Sequence, residues 1–203
     1  SLVSPSLLLE PEVDEGKRLS SLNYRHILAD TIIAVDHPYV LKNNATKEIQ
    51  NIPIWIWQWL RKSFLINNKK NNKLPKKIYI SRKDTSDSLR KILNESEIID
   101  ILKKNNYTPI ALSELNLLDQ INLFYNAESI VGLHGAGFTN VVFCKPKTKI
   151  LEFKSDTAGD VIKNLSLSND LNYQDISIKP SKHDYKNQYG HITIPIPILE
   201  KKL

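Results

Sequence analysis

Short apolar runs alternate with amphipathic patterns through the second half of the chain. Runs of four to six residues rich in isoleucine, leucine, valine and tyrosine predict five strands. They are KIYIS at 77–81, TPIAL at 108–112, SIVGL at 129–133, KILEF at 149–153 and YQDISI at 173–178.

Helical patterns separate these strands. They are NESEIIDILKKNN from Asn94, NLLDQINLFYNA from Asn116, GAGFTNVVF as a turn entering a helix from Gly135, and a weaker pattern around 159–167. Asn94 is predicted to cap the first of them, with Glu97 completing a capping box. Because parallel strands need crossover helices, the alternation predicts an α/β fold with a Rossmann-like parallel sheet and helices on both faces.

The organisation differs on both sides of this region. ILADTIIAVDHP (27–38) predicts one strand, and NIPIWIWQWLRKSFLI (51–66) predicts a helix with Asn51 as cap and Pro53 in its first turn. That helix is apolar nearly all round, so it is either clamped against a partner domain or part of the same core. The tail ITIPIPILEKKL (192–203) contains two prolines and predicts an extended arm over the surface.

Three domains are therefore predicted: an amino-terminal appendage with its connecting helix, a Rossmann-like domain and a carboxyl-terminal arm. Their bounds are 1–75, 76–180 and 181–203. A chain of 203 residues with 41% hydrophobic residues supports one sizeable core plus such appendages.

A formal net charge of +6 bears on which kinds of molecule the protein binds. The densest basic run, NKKNNKLPKK (68–77), lacks interleaved aromatic residues and is typical of a solvated linker, so no nucleic-acid binding is predicted. A basic balance suits an anionic small ligand such as a nucleoside diphosphate.

The single cysteine, Cys144, excludes an internal disulfide framework, and no Cys/His cluster has zinc-ligand spacing. No apolar run is long enough for a transmembrane segment. We expect a cytoplasmic protein, membrane-peripheral if bacterial. The four Asn-x-Ser/Thr sequons carry no weight in a chain this rich in asparagine, serine and threonine.

The stretch IVGLHGAGFTNVVF (130–143) is the main candidate for chemistry. It follows the third strand, and ligands of open parallel sheets bind beyond the carboxyl ends of the strands. Its glycines let the backbone approach a ligand, and a helix start attracts phosphate. The spacing matches neither G-x-G-x-x-G nor a P-loop, so the glycine turn alone is weak support.

Polar residues near this turn have two readings each. His134 is suited to bind a phosphate or sugar hydroxyl or to transfer a proton, or it is a buried structural histidine. Thr139 and Asn140 face the same ligand or cap a helix. Glu152, at the end of the fourth strand, accepts from ribose hydroxyls or is a surface glutamate.

Two arginines follow the first strand. Arg82 and Arg90 can fork phosphate oxygens, or they are surface arginines that pair with Asp84, Asp87 or Glu95. The sequence contains no Asp-x-Asp pair to hold a divalent metal on a diphosphate, and no Gly-x-Ser-x-Gly nucleophile elbow.

The order of these motifs resembles glycosyltransferase family 61. The pattern runs from Ile78 to Phe153: a strand ending in Ser-Arg, an arginine shortly before Asn-Glu, a glutamine heading the next helix, His-Gly-Ala-Gly-x-Thr-Asn, and a strand ending in glutamate. An alternative alignment equates His26 and Asp30 with an aromatic-His motif nearer the amino end of the family.

The resemblance implies the carboxyl-terminal, donor-binding domain of a GT-B architecture, with most of the first domain outside this chain. It implies inverting, metal-independent transfer of a sugar from a nucleotide-sugar donor, UDP-linked, to a glycan or protein-linked acceptor, as in capsular polysaccharide or glycan biosynthesis, with no cofactor. The implied catalytic residue is His134. The implied donor-binding residues are Arg82, Arg90, Asn94, Glu95, Gln120, Gly135, Ala136, Gly137, Thr139, Asn140 and Glu152.

Two other functions remain open at this level. One is a non-catalytic nucleotide-sugar-binding module that works with the missing amino-terminal domain. The other is an unrelated dinucleotide-binding Rossmann domain, against which the missing G-x-G-x-x-G counts.

Overall fold

A computed structural model describes residues 52–65, 73–83, 90–181 and 190–203. Within them, five strands form one all-parallel sheet in the order β2-β1-β3-β4-β5. The strands are β1 Lys77–Ser81, β2 Thr108–Ala111, β3 Ser129–Leu133, β4 Lys149–Ser155 and β5 Asn172–Ile178. The predicted α/β fold with a Rossmann-like parallel sheet is confirmed.

Helices connect and cover these strands. They are α1 Ile54–Phe64, α2 Glu95–Lys104, α3 Leu117–Asn126, α4 Val161–Ser168 and α5 Ile196–Glu200, with 3₁₀ helices at Leu112–Glu114 and Ala136–Phe143. Helix α3 begins where the pattern predicted, and the Asn116 side chain caps it by accepting from the Asp119 N–H at 2.9 Å. No helix in the described ranges is long and apolar enough to cross a bilayer.

Each face of the sheet has its own hydrophobic core. In the first core, Ile78, Ile130 and Ile150 pack with α3, α4 and the segment Ala136–Phe143. In the second core, Val131 and Phe153 pack with α2 and the carboxyl-terminal residues. Because both faces are covered, the central strands are apolar at nearly every position.

Helix α1 belongs to the first core. Trp57 is buried there, and the Arg61 guanidinium donates to the carbonyl oxygens of Val142 and Cys144 at 2.5 and 2.7 Å. Pro53 precedes the helix, and the predicted cap Asn51 lies outside the described residues. Trp55 on the opposite side is 58% exposed, so one side of this apolar helix packs on the sheet and another faces outward.

The predicted capping box of α2 is wrong. Asn94 does precede the helix, but its side chain makes no capping hydrogen bond. Its amide instead donates to the Ile194 carbonyl at 2.9 Å and accepts from the Ile194 N–H at 3.0 Å. Asn94 therefore pairs with an extended segment a hundred residues away, as a strand neighbour would.

The predicted surface arm is also wrong within the described residues 190–203. Ile192, Ile194 and Leu199 are almost fully buried in the second core, and the last two prolines lie beside or inside the short helix α5. Proline fits the first turn of a helix because no N–H is needed there. The alternation of isoleucine in ITI then turns two apolar side chains inward.

Tyr79 makes the fold sensitive to alkali. It is fully buried, and its hydroxyl donates to Glu95 Oε1 at 2.6 Å. Burial, then the Glu95 charge, raises the Tyr79 pKa above its ordinary value. Because the pKa of Tyr79 is higher in the folded than in the unfolded protein, its protonated hydroxyl contributes its full stabilisation below a pH of about 10. As the pH rises further, this contribution is lost at up to about 1.4 kcal/mol per pH unit.

We expect the free energy of unfolding in urea to decline above pH of about 10. The decline should be shallower in Tyr79→Phe, which has no hydroxyl to titrate. Equal slopes in the two proteins would contradict the assignment to Tyr79.

Candidate functional site

The strand order creates a crevice at the carboxyl end of the sheet. After β1 the chain moves outward to β2, then returns to the other side of β1 to form β3. The loops that follow β1 and β3 therefore leave in opposite directions. This topological switch point is the usual ligand site of sheets with the order 2-1-3-4-5.

A cavity of about 210 Å³ lies at this point. It is lined by residues that end β1 or follow the ends of β1, β2 and β3: Ile80, Ser81, Arg82, Leu112, Leu133, Gly135, Ala136 and Gly137. Four predicted donor-binding residues thus lie together around one cavity. Its volume is below the range of about 300–1,000 Å³ typical of whole small-molecule sites, so these walls can enclose only part of a larger ligand.

A larger cavity of about 520 Å³ lies at the opposite edge of the sheet. It is bordered by Lys149 and Asn172, where β4 and β5 begin. Ligands of parallel α/β sheets bind at the carboxyl ends of strands, where the loops diverge. We therefore assign the candidate site to the smaller cavity at the switch point.

Residues 134–137, the HGAG turn, pack closely against neighbouring side chains, and the two glycines of the turn make this close packing possible. Neither glycine lies in the left-handed region, and Gly135 is extended, with φ 167°. A Cβ on Gly135 would lie 2.7 Å from Arg82 Nη1, and a Cβ on Gly137 would lie 2.9 Å from Leu112 Cδ1. The first glycine therefore makes room for the Arg82 guanidinium, which also donates to the His134 carbonyl at 3.5 Å.

Gly135→Ala should weaken nucleoside diphosphate binding by about tenfold, because the new methyl group displaces the guanidinium from the cavity. Arg82 is flexible at its tip, so the melting temperature should change little. Gly137→Ala is the matched control: it displaces an apolar side chain, and affinity should stay within about threefold. Titration and thermal unfolding of both variants test this, and equal losses of affinity would contradict it.

The segment Ala136–Phe143 is a 3₁₀ helix, not the α-helix that the turn was predicted to enter. Gly137, Thr139, Val141 and Val142 all have low α-helix propensity, which favours the tighter form. The ring of Phe138 anchors the segment by lying over Gly132, where a Cβ would be 3.3 Å from the ring. The phosphate-binding argument therefore depends on the turn and Arg82 rather than on an α-helix dipole.

His134 continues β3 by one residue, with its N–H donating to the Phe153 carbonyl at 2.7 Å. Its Nδ1 lies 2.5 Å from Oε1 of Glu152, which is fully buried. The other carboxylate oxygen, Oε2, accepts from the Tyr173 hydroxyl at 2.5 Å. The interpretation of Glu152 as a surface glutamate is therefore wrong.

This arrangement sets the tautomer of the histidine. A carboxylate has only acceptor atoms, so Nδ1 of His134 carries the proton and Nε2 is left for a ligand. The ring is 14% exposed, and no described residue bonds its Nε2. Burial, then the charge of Glu152, raises the Tyr173 pKa, so the tyrosine stays a donor to the carboxylate.

Gln120 and Asn140 support the site from behind. The Gln120 amide donates to the Leu112 and Leu115 carbonyls at 2.9 and 3.1 Å and accepts from Asn140 at 2.9 Å. Asn140 also donates to the Gly137 carbonyl at 3.4 Å. Together they tie the loop after β2 to the HGAG turn. Exposed Thr139 bonds the Ala136 carbonyl at 2.7 Å.

Eight predicted site residues do not line the cavity: the five side chains just described, His134, Gln120, Thr139, Asn140 and Glu152, and three that lie elsewhere, Arg90, Asn94 and Glu95. Asn94 pairs with Ile194, and Glu95 accepts from Tyr79 on the second face of the sheet. Arg90 is partly buried just before Ile92, which bridges to Ile192. His26, Asp30, Asp84 and Asp87 lie outside the described residues.

The sequence argument missed Tyr173. Ile80, Gly132, Glu152 and Asp175 form one row across the sheet, and Tyr173 lies two residues before the last of these, on the same face. Nearby Lys154 is also buried and pairs with Asp160 at 3.1 Å, which lowers the Asp160 pKa. Only the strand register connects these residues, and local pattern does not give it.

Comparison with known proteins identifies relatives for part of the chain. It is 31% identical over 81 residues to the EGF domain-specific O-linked N-acetylglucosamine transferase of Canis lupus familiaris, an alignment covering 37% of this chain and 15% of that protein. Against the protein of the same name from Rattus norvegicus it is 32% identical over 72 residues, covering 33% and 14%. The alignments thus span about one seventh of these relatives' length.

The family comparison covers more of the chain. Residues 3–151 match the model of the glycosyltransferase 61 family. That range holds the Ser-Arg end of β1, the HGAG turn and the first three residues of β4, and it exceeds half of the sequence. The chain therefore belongs to glycosyltransferase family 61.

Proposed function

We propose that this chain is the donor-binding portion of a glycosyltransferase that moves a sugar from a nucleoside diphosphate sugar to a hydroxyl acceptor. The observation that carries the proposal is the Arg82 guanidinium set against the HGAG turn, in a cavity at the switch point. A guanidinium beside close-approaching backbone suits the two adjacent phosphates of such a donor. Family membership and the relatives' printed names support the reaction class.

The proposed inverting reaction forms a bond between the acceptor oxygen and the anomeric carbon and breaks the bond to the diphosphate. Arg82 balances the charge that develops on the departing diphosphate, because a preorganised cation in a recessed site is effective there. His134 lies between the lining residues Leu133 and Gly135, and we infer that its Nε2 reaches the donor: as an imidazolium, stabilised by Glu152, it donates to a phosphate oxygen, and as a neutral ring it accepts from a hydroxyl.

We also propose that the transfer needs no metal, that the enzyme has a GT-B arrangement, and that the acceptor is a glycan or is protein-linked. The cation that a metal would supply at the diphosphate is provided here by Arg82. Within the described ranges, no group of three or more His, Cys, Asp or Glu side chains has the arrangement of a metal site. The acceptor hydroxyl needs a base, which we propose lies outside the donor-binding portion.

Calorimetric titration with UDP, GDP and NAD is the direct test. We expect saturable binding of one nucleoside diphosphate, UDP first, and no binding of NAD. The relatives' names make UDP-N-acetylglucosamine the first donor for a turnover assay, in which release of UDP is followed with and without acceptor glycans.

His134 variants then separate its two roles. Glutamine can place an N–H near the position of Nε2 but cannot act as a base. Retained UDP affinity in His134→Gln, with loss in His134→Ala, supports a phosphate-bonding histidine. Binding of NAD instead of UDP would favour a dinucleotide-binding domain, and UDP-sugar binding without turnover in the longer protein would favour a non-catalytic module.

A further inference from the structure

We propose that Tyr173 is a positioning residue, which holds the Glu152 carboxylate so that Glu152 fixes the His134 imidazole beside the donor cavity. The inference rests on the proposed function for the role of His134. It goes beyond that function by assigning a task to a residue of β5, a strand with no residue at the cavity lining.

The first argument is the number of anchors on the carboxylate. Among the described residues, Glu152 has two hydrogen-bond partners, His134 at 2.5 Å and Tyr173 at 2.5 Å, one on each oxygen. Without Tyr173, the only described residue that holds the carboxylate would be the histidine that it is meant to orient. A carboxylate with one anchor can rotate about its side-chain bonds, and the imidazole can then rotate with it.

The second argument is that Tyr173 is itself held rigidly. It lies opposite Ile150 in the β4–β5 register, and its ring packs against the first core. Three carboxylates, those of Glu152, Asp175 and Asp160, lie near enough to disfavour loss of its proton. Of these carboxylates, Asp160 forms an ion pair with Lys154, whereas Glu152 accepts the hydrogen bond from the Tyr173 hydroxyl through Oε2. The result is a fixed donor aimed at one carboxylate oxygen.

The experiment compares Tyr173→Phe with Tyr107→Phe. Tyr107 is a matched control, because its buried hydroxyl also makes one hydrogen bond, 2.7 Å to Ser129 Oγ, near the opposite edge of the sheet. NMR on the 203-residue chain follows exchange of the His134 Nδ1 proton with water, assigned by its absence in His134→Gln. We expect exchange about tenfold faster in Tyr173→Phe and unchanged in Tyr107→Phe. Unchanged exchange in Tyr173→Phe would overturn the proposal.

A double-mutant cycle tests whether Tyr173 acts through Glu152. In a Glu152→Leu background, Tyr173→Phe should add less than about twofold to the exchange rate, because a leucine side chain accepts no hydrogen bond from either ring and the link is already broken. A full additional effect would show an independent role and overturn the proposal. If Tyr173→Phe does not fold, the Tyr173 hydroxyl proton of the unsubstituted chain is followed instead. Its exchange should quicken in Glu152→Leu, and no change there would equally overturn it.

Donor turnover supplies the functional arm. Tyr173→Phe should lower kcat by about tenfold with KM for the donor within about twofold, while Tyr107→Phe leaves both unchanged. Faster proton exchange with unaltered kcat would overturn the positioning role. Failure of the unsubstituted protein to bind any nucleoside diphosphate would instead refute the proposed function, and the exchange measurements would still decide the Tyr173–Glu152–His134 link.

Discussion

Arg82→Ala is expected to weaken UDP binding by about 10- to 150-fold, since a charged hydrogen-bonding group contributes about 1.5–3 kcal/mol. Arg82 follows the last residue of β1 and lines the cavity at the switch point, and its Nη1 lies next to the backbone of the HGAG turn. Removal of the side chain would leave the diphosphate beside uncharged backbone. Calorimetric titration at fixed ionic strength measures the loss.

Lys83→Ala is the matched control for Arg82→Ala. It removes the same charge one residue away, but its ammonium is exposed and paired with Glu114 at 2.8 Å. We expect an affinity change within about threefold, because an exposed charge is screened. Arg82→Lys should fall between the two, since an ammonium keeps the charge and loses the two-pronged geometry. Equal losses in Arg82→Ala and Lys83→Ala would mean that general charge attraction, not a phosphate contact, drives binding.

The strands were predictable because each carries its own signal. KIYIS and SIVGL are short, apolar and rich in β-branched residues, and the amphipathic patterns between them imply crossover connections. Both strands have the predicted bounds in the structure. Parallel pairing then follows from the connections, so the carboxyl-edge site followed from the sequence as well.

The wrong predictions share a physical cause, which is contact between residues that are far apart in the sequence. Asn94 looks like a helix cap in its local sequence, yet Ile194, a hundred residues later, takes both of its amide groups. Burial of the ITIPI segment depends on uncovered apolar surface beside α2, which is not visible in the tail itself. Local propensity is a weak guide wherever such contacts override it.

The candidate site shows both outcomes. The HGAG turn and Arg82 were candidates because they follow strands at the carboxyl edge, where ligands of such sheets bind, and the structure brings them together at one cavity. Tyr173 was not identifiable from the sequence. Its role depends on the parallel register, which pairs residue 173 with residue 150, two positions before Glu152 in β4. A register shift of one position would turn that tyrosine to the opposite face.

Glu152→Ala is expected to lower the free energy of unfolding by about 2–5 kcal/mol, because two partly buried donors lose their acceptor and a cavity remains where the buried carboxylate lay. Glu152→Gln keeps the shape and should cost less. The exposed Glu128→Ala serves as control, with a change within about 0.5 kcal/mol. Urea unfolding of the three variants measures these differences, and a loss below about 1 kcal/mol for Glu152→Ala would contradict the expected interdependence of these side chains.

An apolar replacement separates stability from function at the same position. A buried charge with its partners can often be exchanged for apolar side chains of similar volume at no cost in stability. The triple variant His134→Phe, Glu152→Leu, Tyr173→Phe should therefore unfold near the free energy of the unsubstituted chain, while Glu152→Ala alone does not. UDP binding or turnover should nevertheless fall in the triple variant. If the triple variant instead retained both, the polar side chains would be structural, and the donor would depend on Arg82 and the glycine turn alone.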